Sequence, residues 1–283
     1  MPGKELNCST ASSTYFDGIF IASKVRILAR FLPLPDEAGL ILAVYSEEVL
    51  VFSGLKQYFR RVELIQFDFL GLHLQEPMAL LFNWVIAGFC FYAFKKLGEF
   101  RNEANFYWRL FYLTFGISTV FGGLGHLFFQ YTGFPGKYPC WILGCVANGF
   151  AAMGMLHFKG ISEPKKIAFQ LIWIKCVILC SASILTNKFI FVAVDAIVTY
   201  IGYTGVYAYI LMKRTEKAAF LKNMIIAVVI LTPSAFIFGL KINIHQWLNK
   251  DDLSHLLMIV TIYYFYRGLK EWGKQNALQA ENG

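Results

Sequence analysis

Charge is scarce in this chain. Asp, Glu, Lys and Arg make up 16% of its 283 residues, where a water-soluble domain carries about a quarter, so most of the surface cannot be a solvated polar one. Cysteine pairs at zinc-finger or disulfide-framework spacing are also missing. Cys90, Cys140, Cys145, Cys176 and Cys180 fall in or beside apolar stretches, where a free thiol behaves as a small hydrophobe. No basic-then-apolar-then-small segment of the signal-peptide kind occurs in residues 1–75. Strands of about ten alternating residues, the mark of a membrane barrel, do not occur either.

What the chain has instead is long apolar runs. Hydrophobic residues supply 57% of it and aromatics 17%, for a mean hydropathy of +0.51. The runs cover about 77–94, 108–131, 139–158, 167–186, 189–212, 223–240 and 253–269, most of them near the ~20 residues that a helix needs to cross the hydrocarbon. Lipid offers backbone groups no hydrogen bonds, so each run is expected to be an α-helix. The expected fold is therefore all-α, a polytopic bundle of seven transmembrane helices over 76–272, with a small extramembrane or interfacial region at 1–75 and a polar tail at 273–283. Glu47 and Glu48 interrupt the apolar stretch 38–55 and argue against a crossing there. Pro233 is expected to kink the sixth helix, and Gly122, Gly123 and Gly125 to let neighbours approach the second.

The formal charge of +8 does not indicate nucleic acid, because residues 1–75 are nearly balanced and the excess sits beside the spans. Lys95, Lys96, Arg101 and Arg109 follow the first span, Lys159, Lys165 and Lys166 the third, Lys213, Arg214, Lys217 and Lys222 the fifth, and Arg267, Lys270 and Lys274 the seventh. The opposite side has Lys137, Lys188, Lys241 and Lys250. This asymmetry is a positive-inside signature. It places the C-terminus in the cytoplasm and the start of the first span outside.

That orientation brings several ionisable residues to one leaflet. His126 lies about 27 Å along the second span at the helical rise, close to its outer end. Glu76 precedes Pro77 at the outer start of the first span, Asp195 lies about two turns into the fifth, and Asp251, Asp252 and His255 open the seventh. Each has a plain reading: Glu76 as an acidic helix start, Asp251 or Asp252 as N-caps, His126 as a packing residue. Asp195 is harder to explain so, since a carboxylate among Phe, Val, Ala and Ile must be protonated, paired or bound to a cation. Lys175 falls toward the other leaflet and is expected to snorkel. Imidazole and carboxylate together form a ligand set for zinc. His126, His255 and Asp251 or Asp252 are the candidate ligands, with Asp195 or Glu76 as base or supporting partner.

A histidine near the end of span two and an acidic-histidine group opening span seven on the same side resemble the CREST membrane hydrolases, the superfamily of alkaline ceramidases and progestin/adiponectin receptors. The resemblance, one of arrangement over about 72–272, implies zinc and hydrolysis of a lipid amide or ester. It also implies two histidines four apart in span seven, where this chain has Asp251 and His255, and a serine four before the span-two histidine, where it has Gly122, the nearest serine being Ser118. The same polar residues allow a small-solute or proton pathway, or a noncatalytic receptor or scaffold. A retinal-type sensor is set aside, because residues 253–266 hold no lysine.

Overall fold

In a computed structural model of the protein, the described residues are 64–100, 102–158, 166–214 and 219–281. The apolar stretch 38–55 and most of the expected extramembrane region 1–75 lie outside them. A hairpin comes first, with β1 (Gln66–Phe69) antiparallel to β2 (Leu72–Gln75). Its turn residues Leu70 and Gly71 both have positive φ, the conformation of the tight turns whose twist suits a two-residue hairpin.

Seven long helices follow. They are α1 (Pro77–Leu97), α2 (Glu103–Leu127), α3 (Tyr138–Leu156), α4 (Lys166–Thr186), α5 (Ile190–Arg214), α6 (Ala219–Leu240) and α7 (Lys250–Glu281). A short helix at Phe129–Thr132 and a 3-10 turn at Phe134–Lys137 join α2 to α3. Six helices, α1 to α6, are long and apolar enough to cross a membrane, so the chain is a multi-pass, all-α membrane protein. α7 is longer, but its first turn and its last dozen residues are polar.

The burial pattern explains the packing. On α1 the buried positions are Ala79, Asn83, Ile86, Ala87, Cys90, Ala93 and Leu97, spaced three and four apart as one helical stripe must be. The opposite side exposes Leu81, Trp84, Val85 and Tyr92. Both faces are apolar because one meets helices and the other lipid.

α3 is the most enclosed helix and buries mostly small residues, among them Gly144, Ala147, Gly149, Ala151, Ala152 and Gly154. Between membrane helices the gain comes from close van der Waals approach, which small residues permit. Gly154 shows how close: a Cβ there would fall 2.6 Å from the Trp108 ring. Around it Trp108, Phe111, Tyr112, Tyr200 and Phe265 form the aromatic centre of the bundle. The Tyr112 hydroxyl donates to the Ile262 carbonyl at 2.7 Å. That bond ties α2 to α7, the two helices that carry His126 and His255.

Two elements depart from ideal helices. α5 contains a π-helical stretch, Val198–Val206, of a kind often found near functional positions. α6 runs continuously through Pro233, and the hydroxyls of Thr232 and Ser234 bond the carbonyls of Val228 and Leu231 beside it.

Candidate metal centre

Three helix ends meet where the hairpin enters the bundle: the start of α1, the end of α2 and the start of α7. Glu76 sits between β2 and Pro77. Proline has no N–H and a fixed φ, which suits a first helical position, while the Glu76 N–H is held by the Ile65 carbonyl at 3.0 Å. Between these constraints Glu76 takes φ 52° and ψ 56°. For a non-glycine residue this left-handed conformation costs about 1–3 kcal/mol. Its carboxylate does not cap α1. Instead Oε2 lies 2.8 Å from His126 Nδ1, and Oε1 accepts from Asn249 Nδ2 at 3.3 Å.

His126 occupies the last turn of α2. The glycines around it let that turn approach its neighbours, as the sequence suggests: a Cβ on Gly125 would lie 2.9 Å from the Gly136 carbonyl oxygen, and one on Gly122 3.1 Å from Asn83 Oδ1. Asp251 comes from the first turn of α7 and pairs with Lys250. One ligand atom each from Glu76, His126 and Asp251 lies within 4.8 Å of the other two. This Glu/His/Asp group could hold a metal ion.

The electrostatics keep the two carboxylates charged. Burial pushes Glu76 up, but the hydrogen bond and charge of His126, with Lys137, outweigh it and leave the group below its ordinary value. Burial also raises Asp251, and Lys250 and His126 bring it below the usual range. Asp252, which like Asp251 precedes the apolar run of α7, is pushed up to about 6, chiefly by burial. Lys137 stands 3.5 Å from His126 Nδ1 and is a counter-cation already built into the cluster.

The other expected ligands are placed differently. Asp252 Oδ2 accepts the Asn249 N–H at 3.0 Å, while Asn249 Oδ1 accepts the N–H groups of Asp251 at 2.8 Å and Asp252 at 3.1 Å. This reciprocal cap gives Asp252 the helix-starting role, so Asp251 is the carboxylate that joins the group. His255 faces His126 edge to face, with ring centroids 6.2 Å apart. Its Nε2 is 3.2 Å from Asn83 Nδ2, and it lies outside the three-residue group.

Asp195 belongs to a different network. Its Oδ1 is 2.6 Å from Lys175 Nζ and its Oδ2 accepts from Asn148 Nδ2 at 2.8 Å. Lys175 therefore reaches inward to a buried carboxylate instead of snorkelling to an interface, and Asp195 answers the need for a partner by pairing. No hydrogen bond or ion pair found among the described residues joins it to Glu76, His126 or Asp251. His73 pairs with Asp68, the His245 Nδ1 accepts the Trp247 N–H, and His157 pairs with Glu103 at the far end of α2. Ser118 donates to the Cys140 carbonyl.

Sequence reasoning missed Asn83 and Asn249. Each is an amide at the edge or inside of an apolar run, and that polar interruption was the available signal.

Residues 78–274 match a family described as Family of unknown function (DUF6962). The chain belongs to this family. DUF6962 spans α1 to α6 and most of α7, taking in His126, Asp251, Asp252 and His255, and Glu76 lies just before its start. Neither a curated protein nor a solved structure matches the chain.

Proposed function

We propose that this protein is a seven-span membrane hydrolase in which Glu76, His126 and Asp251 hold zinc near the non-cytoplasmic face, acting on a lipid amide or ester. The carrying observation is the convergence within 4.8 Å of an imidazole and two carboxylates from three separate elements. The run 253–269 of α7 makes the seventh crossing. The lysine and arginine asymmetry supports an outward-facing cluster and a cytoplasmic C-terminus.

The donor chemistry fits the metal. His126 Nδ1 and Glu76 Oε2 lie 2.8 Å apart, close enough for both to be ligand atoms ~2.0–2.2 Å from one zinc. Two carboxylates held in charged form balance a divalent cation. When bound, zinc would supply Lewis-acid activation of water and of an acyl carbonyl. Asn249 orients Glu76, and the Asn249–Asp252 cap fixes the turn that carries Asp251. One departure from the CREST arrangement is thus met by a carboxylate: Asp251 stands where that superfamily has the first histidine of its span-seven pair, and Glu76 supplies a further ligand.

Lys137 gives a second reading its footing. With its ammonium 3.5 Å from His126 Nδ1, the carboxylates have internal counter-charges, as a noncatalytic scaffold requires. Metal analysis of the protein purified in detergent separates the two. Stoichiometric zinc that disappears in His126→Ala and Asp251→Asn supports the hydrolase, with fatty-acid release from N-acyl and O-acyl lipids in mixed micelles as its activity test. A parent protein free of metal retires the zinc reading.

A further inference from the structure

The two nitrogens of His255 can be assigned proton by proton. Asn83, in the buried stripe of α1, places its Nδ2 2.8 Å from the Ala79 carbonyl oxygen and 3.2 Å from His255 Nε2. A carbonyl oxygen only accepts, so the amide atom that faces it must be the nitrogen. Exchanging the amide's nitrogen and oxygen would set two acceptors against each other at that distance. An amide nitrogen has two protons and accepts nothing. One proton goes to Ala79, the other to His255, and Nε2 is therefore the acceptor.

The ring proton then sits on Nδ1. That nitrogen is buried and has no acceptor among the described residues, although folded chains rarely leave a buried donor unused. The ring stands edge to face with His126, beside the three ligand atoms. A metal ligand needs a lone pair, and His255 has committed its lone pair to Asn83.

We infer that His255 is the hydrogen-bond donor of this centre, offering Nδ1–H to an acceptor oxygen of the ligand, and that Asn83 is the positioning residue that fixes the tautomer. The inference rests on the hydrolase reading in one respect: the acceptor would be the acyl carbonyl oxygen. A preset donor at a carbonyl strengthens its bond as charge develops on the oxygen. It also divides the labour between the histidines, with His126 for the cation and His255 for the substrate oxygen. Gly122 is part of the device, since a Cβ there would come within 3.1 Å of Asn83 Oδ1.

The tautomer is read directly by nitrogen NMR of the full chain, labelled at histidine and held in detergent micelles at neutral pH. There are five histidines, and His255→Gln assigns the one in question. The expected parent spectrum shows a protonated, pyrrole-type Nδ1 and an unprotonated Nε2. In Asn83→Asp the carboxylate must accept, so Nε2 becomes protonated. Cobalt(II) titration supplies the second measurement: His255→Asn and His255→Gln should keep the parent affinity to within about twofold, whereas His126→Ala should lose cobalt binding. An unprotonated Nδ1 in the parent, a doubly protonated ring, or loss of cobalt in His255→Gln as deep as in His126→Ala overturns the inference. A parent that binds no cobalt overturns the metal reading instead, and the parent spectrum still decides the tautomer without requiring any variant to fold.

Discussion

Lys175 with Asp195 inside the bundle, and the histidine–carboxylate group at its end, both bury charge among apolar helices, yet they close differently. Lys175 Nζ contacts Asp195 Oδ1 at 2.6 Å, the Asp195 carbonyl at 3.3 Å and Thr199 Oγ1 at 2.7 Å, and Asn148 takes the remaining carboxylate oxygen. The ammonium thus has one ion-pair partner and two hydrogen-bond acceptors, all on α5. At the bundle end, Asp252 Oδ1 and His255 Nδ1 are buried with neither a hydrogen bond nor an ion pair among the described residues, whereas Asp195 Oδ1 has the Lys175 ammonium, and Glu76 holds a strained backbone. A closed network fixes helices, whereas one with open hydrogen-bond positions and a strained backbone keeps groups available to a ligand. The closed network also sits where it is needed: α4 is the least buried of the six apolar helices, and Lys175 is its polar tie to α5.

Breaking the closed network should have the largest effect. Removing one partner of a buried ion pair strands the other charge, at a cost of about 3–5 kcal/mol, while replacing both by apolar side chains of similar size is near neutral. Asp195→Leu should therefore lower unfolding free energy in mixed micelles by about that amount, and Lys175→Met with Asp195→Leu should recover more than half of it. If the double variant is as damaged as the single one, Asp195 has a task beyond pairing and the contrast between the two regions fails.

Next in size is the approach of α2 to the turn before α3. Gly125→Ala puts a methyl 2.9 Å from the Gly136 carbonyl oxygen, a backbone atom that cannot swing aside. Overpacking of this kind costs about 1–3 kcal/mol. The same substitution should displace His126 and weaken metal binding in the cobalt titration. An unchanged melting temperature with unchanged cobalt affinity would show that the close approach is not needed.

Glu76 gives a smaller but more discriminating result, because strain and bonding act in opposite directions. Glu76→Gly removes two hydrogen bonds and relieves a left-handed backbone worth about 1–3 kcal/mol, so its stability should stay within about 1 kcal/mol of the parent. Glu76→Gln keeps the strain and weakens the bonds, and should be the less stable of the two. Both should lose metal. A large loss of stability in Glu76→Gly would make the residue structural, like Asp195.

The sequence shows helices where hydropathy marks them and loses them where polar residues continue the same backbone. α2 starts at Glu103, ahead of its apolar run, because Asn102 caps it by accepting the Asn105 N–H at 2.9 Å. α7 continues past the apolar run through Lys270, Glu271, Lys274 and Gln275, residues that favour helix without favouring lipid. Glu76, His126 and Asp251, expected at one leaflet because helix ends can be counted from the loops, lie together in the structure. Asp195, expected at the same depth, pairs with Lys175 and Asn148, because depth says nothing of which way round the bundle a side chain faces, and Lys175 on the neighbouring helix is long enough to reach it. The π-helical stretch of α5 left no hydropathy signal, having the same apolar composition as the turns around it. The hairpin did carry one: Phe67 and Phe69, then Leu72 and Leu74, alternate with polar residues around Gly71, a period of two that a search for twenty-residue runs passes over.

The smallest expected effect tests how the hairpin serves the cluster. Two strands alone are marginally stable, yet this pair must hold Glu76 within reach of His126. One tie to the rest of the protein is the His73 N–H, which donates to the Tyr131 hydroxyl at 2.8 Å beyond the end of α2. Tyr131 is exposed, so Tyr131→Phe should cost global stability no more than the ~0.5–1.5 kcal/mol of one hydrogen bond. Its signature should be local: faster amide hydrogen exchange over 66–75, and a drop in cobalt affinity smaller than that of Glu76→Gln, because the Glu76 N–H remains bonded to the Ile65 carbonyl. Unchanged exchange in the hairpin would mean that Ile65 alone sets the position of Glu76. In that case the strain at φ 52° is imposed by the junction with Pro77, and the hairpin takes no part in shaping the centre.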